Sequence, residues 1–255
     1  AERKRVLVYL TSADFNNAYV QSEFASTPQQ MVLPQHMTLE QFNLLGLGET
    51  DIGDVACHES VHYVQMQQVG GLWNVLNKVT GGLFQPNIFT ESWFLEGLAT
   101  YYEGRLGKDT GRPFSPVWRG WWEGAVAARK GELNAGYLSP ENRALDPFGG
   151  NYLSGMNFVE YLAKTYGEKR LWKLVDEQGS SLFPPIAVTL RFKRVYGKDI
   201  GSLFSEFEQS LQKNLQVRER PATQQVLVRE AGYFSRLAAN PVDGSTALMS
   251  VGREE

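Results

Sequence analysis

The sequence predicts an α+β fold that is mainly helical, with a small twisted β-sheet at the N-terminus and a helical C-terminal half. Three observations predict it. Extended β-branched and aromatic runs are confined to residues 1–35, at 5–10 and 30–33. From Thr38 onward apolar residues recur at three- and four-residue steps. Glycine and proline then cut that periodic stretch into separate helices.

The chain has 255 residues, enough for one large domain or one domain with an appendage. Hydrophobic residues at 42% and charged residues at 21% describe an ordinary globular protein. A net charge of −3 gives no reason to expect a nucleic-acid partner or a polybasic membrane patch, and Arg3-Lys4-Arg5 reads as a solvated terminus. No apolar run approaches the ~18 residues of a membrane span. Residues 6–10 are too short for a secretory signal and read as a strand. The single cysteine rules out an internal disulfide and a cysteine-based zinc site. It fits either redox compartment, and the reading leans towards an exported, periplasmic protein whose signal has been removed.

Residues 5–10 are the first strand, and residues 14–20 a second short element. Residues 30–33, closed by Pro34, suit an edge strand or a strand end and not a sheet centre. That open strand, Met31 to Leu33, is the expected docking edge for an extended substrate. His36 follows as an incidental surface histidine. Thr38-x-x-Gln41 resembles a capping box for a short helical turn. The next helix starts at Thr50 or Asp51 and stops at Gly70-Gly71, with Ile52, Val55, His58, His62, Met66 and Val69 on its inward stripe.

Residues 72–79 form a short apolar helix. Thr90 is a good N-cap for a helix through residue 103, on which Trp93, Glu96, Thr100 and Glu103 share a face. Residues 104–115 read as a loop. Residues 117–129 form a helix with Trp118, Trp121, Trp122 and Val126 as a core face. Residues 131–150 are a long irregular connection of the kind that frames a site. Helices follow from near Asn151 to Tyr166, at 171–177, at 186–196 and at 200–217. The polar change at Arg218 divides a main domain, 1–218, from a linker and separate region, 219–255.

The chemistry of the chain centres on His58-Glu59-Ser60-Val61-His62. Residues four apart on a helix lie one above the other, so His58 and His62 can offer two imidazole nitrogens to one metal ion. Glu59, one step round, stands beside that ion as a base for metal-bound water. Imidazoles on an inward stripe need partners, which a metal ion supplies. Glu96 is either a surface glutamate or a further metal ligand.

His58-Glu-Ser-Val-His62 and Trp93-Phe-Leu-Glu-Gly-Leu-Ala-Thr-Tyr-Tyr102 together resemble the gluzincin metallopeptidases, closest to the M1-type aminopeptidases and their peptidase-MA-like bacterial relatives. The resemblance implies a zincin, thermolysin-like catalytic fold holding one zinc ion per chain. It implies His58, His62 and Glu96 as the zinc ligands. Tyr152-Leu-Ser-Gly155 looks like a later family element, whose tyrosine donates to the oxyanion, so Tyr152 takes that role by resemblance. The gap of 33 residues between His62 and Glu96 exceeds that of typical members, and the helix at 72–80 accounts for the excess. The element that anchors a substrate's amino terminus in aminopeptidases is absent. Thr100 stands where some members place an aspartate that supports a ligand histidine. Residues 234–244 look like the opening of a TolB-type β-propeller blade, implying a propeller domain that continues past residue 255.

The expected function is therefore zinc-dependent hydrolysis of a peptide or protein substrate, with Glu59 as general base and Tyr152 as oxyanion stabiliser. Two alternatives stand beside it. One is a zinc hydrolase acting on a non-peptide bond, and the other a catalytically silent, metal-stabilised binding domain for a partner protein.

Overall fold

Short apolar runs near the start of the chain pair into a three-stranded sheet, and helices make up most of the rest. The computed structural model describes residues 6–12, 18–21, 28–35, 52–105, 109–129, 131–145, 149–183, 188–214 and 236–249. The chain divides into two units, Ala1–Leu215 and Gln216–Glu255. The expected helical turn at 38–45, His36, most of the second N-terminal element and the linker fall outside the described residues.

Strands β1 (Leu7–Thr11), β2 (Tyr19–Gln21) and β3 (Gln30–Pro34) are ordered β1-β3-β2. β1 runs parallel to β3 with Leu7 opposite Gln30, and β2 runs antiparallel with Val20 opposite Met31. This corrects the expectation of an open edge at Met31 to Leu33. Both ladders of β3 are taken, and Met31, Val32 and Leu33 are buried. A continuous apolar run is what a strand covered on both sides requires. Pro34 is tolerated because it ends the strand.

The helices are α1 (Ile52–Gln67), α2 (Gly71–Thr80), α3 (Ser92–Tyr102), α4 (Pro116–Ala128), α5 (Gly155–Tyr166), α6 (Glu168–Ser180), α7 (Val188–Tyr196) and α8 (Ile200–Asn214). The core gathers Leu98 from α3, Phe158, Val159 and Leu162 from α5, Leu171 from α6 and Leu203 and Phe204 from α8, all fully buried. Phe158 is its aromatic centre, with ring centroids 5.4 Å from Trp93, 5.1 Å from Phe204 and 5.4 Å from Phe207. On α4, Ser115 caps the first turn and Trp118, Trp122 and Val126 face the core. Trp121 lies off that four-residue row and is exposed, against expectation.

Three other expectations change. The buried positions of α1 are mixed rather than an apolar stripe: Asp54, His58, Glu59 and Gln65 are buried along with Val61 and Tyr63, while Ile52 is exposed. Thr90 does not cap α3, because a 3₁₀ turn, Pro86–Phe89, uses it as its own end; α3 starts after Glu91. The helix expected from Asn151 begins instead at Gly155, preceded by a π-helical turn at Gly149–Ser154 that carries Tyr152.

Two glycines set the distance between α3 and α5. A Cβ on Gly97 would stand 2.6 Å from the carbonyl carbon of Gly155, and one on Gly155 would stand 2.6 Å from the carbonyl oxygen of Trp93. Backbone meets backbone at this crossing, which brings the π turn against the middle of α3. The 131–145 connection supports the same turn from outside. Its Leu133, Leu138 and Leu145 are buried, and any Cβ on Gly150 would strike the Tyr137 and Ser139 carbonyls.

In the C-terminal unit, β4 (Arg236–Ala239) and β5 (Thr246–Met249) form an antiparallel hairpin. Its turn is held by Asn240, whose side chain accepts from Val242 N (2.9 Å), and by Asp243, which accepts from Ser245 N (2.8 Å). Among the described residues no helix is long and apolar enough to cross a membrane.

Candidate metal centre

α1 and α3 lie side by side, and the site forms where the two histidines of α1 meet Glu96 of α3. Cys57 Sγ donates to the Tyr102 carbonyl at 3.2 Å, tying the middle of α1 to the end of α3. His58 and His62, one turn apart on α1, then face Glu96 of α3. His58 Nε2 and His62 Nε2 are 3.0 Å apart, and Glu96 Oε2 is 3.2 Å from the first and 3.4 Å from the second. Ligand atoms about 2.0–2.1 Å from one tetrahedral ion stand roughly 3.3–3.4 Å from each other. The triangle therefore has close to the edge lengths of three corners around such an ion. A donor set of two imidazoles and one carboxylate suits a divalent cation, so this group could hold a metal ion.

The far nitrogens of both imidazoles are held as well. His62 Nδ1 is 3.1 Å from Oε1 of Gln65, one turn further along α1, so its proton sits there and Nε2 presents a lone pair. His58 Nδ1 lies 2.8 Å from Glu103 Oε1 and 2.8 Å from Arg112 Nη2. With its proton on Nδ1, His58 donates to Glu103 and turns its own Nε2 lone pair inward. With Nδ1 accepting from Arg112, Nε2–H donates to Glu96 instead. The first form is the one that ligates, and in it two lone pairs and a carboxylate converge, a repulsive arrangement that a cation relieves.

Glu103 and Arg112 form a buried ion pair behind His58. Arg112 Nε is 2.8 Å and 2.9 Å from the two Glu103 oxygens, its Nη2 pairs with Oε1, and its backbone N–H donates to Oε2 at 3.1 Å. Burial opposes the charge on Glu103, but Arg112 and His58 outweigh it and hold the carboxyl down to about 2. Gly111, at φ +82°, permits this docking, since a Cβ there would approach Glu103 Cβ to 2.9 Å. Arg112 also stacks over the Tyr152 ring at 4.9 Å.

Burial likewise works against the charge on Glu96, yet the two imidazoles beside it, His58 and His62, hold its carboxyl well below the usual range. At His58, burial and Arg112 oppose protonation, while the carboxylates of Glu103 and Glu96 prevail and raise its affinity for a positive charge. Glu59 is buried beside the triad. Burial pushes its carboxyl up, against the pull of His58 and His62. The Tyr152 ring lies 6.4 Å from that of His58, and burial together with the nearby Glu96 carboxylate keeps its phenol protonated far above neutral pH.

All five residues singled out in the sequence thus come together. The residue behind His58 is Glu103 rather than Thr100, whose buried hydroxyl has no hydrogen-bond partner among the described residues. Glu103 was visible as a carboxylate on the Glu96 face, and Gln65 as a neighbour one turn from His62. Arg112 sits in a Gly- and Pro-rich loop, and no local pattern marks it. The 135–140 part of the long connection lines a cavity of about 350 Å³ with Ser92 and Trp93, at the start of the helix that carries Glu96. No protein-family profile, curated protein or solved structure matches this chain.

Proposed function

We propose that this protein is a zinc-dependent peptidase, with His58, His62 and Glu96 as the metal ligands. The observation that carries the reading is the triangle of 3.0, 3.2 and 3.4 Å among one atom each of two imidazoles and a carboxylate. Zinc held there would supply Lewis acidity, bringing the pKa of water towards about 7.

Glu59 is the base. It takes the proton of the attacking water and passes it to the leaving amine as the peptide C–N bond breaks, and a carboxyl raised by burial suits both roles. Tyr152, protonated throughout the neutral range, donates to the oxyanion. Glu103, itself held by Arg112, keeps His58 in its ligating orientation, and Arg112 also positions the Tyr152 ring.

The test is metal analysis of the purified protein followed by cleavage of a peptide library by wild type and Glu59→Gln. Stoichiometric zinc in both, with cleavage by wild type alone, supports the reading. Zinc without cleavage of any peptide would turn the search towards non-peptide bonds or a binding role.

A further inference from the structure

The helix that lengthens the gap between His62 and Glu96 carries a surface the metal site does not use. From Gly70 through Thr90 the only charged side chain is Lys78, and from Gln178 through Leu190 there is none. The fold joins these two stretches. Trp73 Nε1 donates to the Ser181 carbonyl at 2.6 Å, and Gly70 N donates to the Gly179 carbonyl at 2.9 Å.

α2 has no buried residue. Its Trp73 turns towards Ser181 and its Asn77 towards the Phe84 backbone just past the helix, while Leu72, Val75 and Val79, at three- and four-residue steps, are 52%, 58% and 85% exposed. Leu83 just beyond the helix, and Leu182 and Phe183 just beyond Ser181, are also exposed. An aliphatic row of this spacing is ordinarily the face a helix buries. Here it points outward and is flanked by two more apolar tips, a grouping that marks an interaction surface.

We propose that this face docks on a lipid bilayer, with α2 lying in the plane of the interface. The charge pattern selects that occupant. No carboxylate in either stretch would repel lipid phosphates, and the one charge, Lys78, is of the sign they attract. With no basic cluster present, apolar insertion carries the binding, so it resists salt. None of this depends on the peptidase reading, and the assay below reads no hydrolysis.

The experiment is co-sedimentation of the intact protein with phosphatidylcholine vesicles, with and without phosphatidylglycerol, at low and high salt. The protein is expected to sediment with both, more with the anionic vesicles, and to stay bound at high salt. Val75→Glu and Val79→Glu lie at exposed positions; they should keep the wild-type melting temperature and lower partitioning at least about tenfold. Wild type that stays in the supernatant with every vesicle overturns the proposal, whatever the variants do. Equal partitioning by wild type and a folded Val79→Glu variant overturns it too. So does a wild-type dimer that ignores vesicles and that Val79→Glu turns into a monomer, since the face would then be a protein interface.

Discussion

His58 Nδ1 lies 2.8 Å from Oε1 of Glu103, a residue 45 positions further along the chain, and that contact decides which imidazole nitrogen faces Glu96. A buried carboxylate behind a ligand histidine fixes its tautomer and raises its basicity. Glu103→Gln removes the charge and keeps the shape. It is expected to weaken zinc binding by about 10–100-fold, measured by competition with a chromophoric chelator.

The same carboxylate makes the fold acid-sensitive. Its pKa is about 2 in the folded chain against a reference of 4.5, so it contributes stability at pH above 4.5 that is lost as pH falls towards 2. Thermal melts of the metal-free protein should show the melting temperature dropping through that window. Glu103→Gln should flatten the drop, and an equally steep fall in the variant would place the acid lability elsewhere.

Glu96 is the proposed ligand on α3, and Glu91, the residue before that helix, serves as a control because it pairs with Arg191 at 2.8 Å. Glu96→Ala should lower zinc affinity by at least about 100-fold, given that loss of a mere supporting residue costs up to that much. Glu91→Ala should leave bound zinc unchanged. Both are checked by elemental analysis after dialysis.

Glu59→Gln and Tyr152→Phe separate chemistry from metal binding. Losing the base should reduce peptide turnover by about 10²–10⁴, and losing the phenol by about 10²–10³, each with zinc content intact. An unaltered rate in either variant would remove that residue from the proposed mechanism.

Gly97→Ala tests the helix crossing. The added methyl meets the backbone of Gly155 at 2.6 Å, and backbone cannot swing aside as a flexible side chain can. A loss of roughly 1–3 kcal/mol is expected from such overpacking, read from urea unfolding. Because that crossing sets the π turn against α3, turnover should fall beyond what the loss of folded protein explains.

The sequence by itself determined the parts governed by local spacing. His58 and His62 sit four residues apart, and helical geometry alone puts them on one face with Glu59 beside them. The mainly helical character, the small N-terminal sheet and most helix positions follow from the same periodicities. Glu96 was readable as a carboxylate on one helix face with Trp93, Thr100 and Glu103.

Only the tertiary structure decided which distant groups meet. Strand periodicity does not say whether a strand lies at an edge or in the centre, so the buried position of β3 between β1 and β2 depended on pairing. Asp54, His58 and Gln65 are buried on α1 because they find partners there, and a periodicity count assigns buried positions to apolar residues. Arg112 reaches Glu103 through a loop that bends at Gly111. Such contacts join residues distant in sequence, where their free energy comes from desolvation and charge pairing rather than from any local preference of the chain.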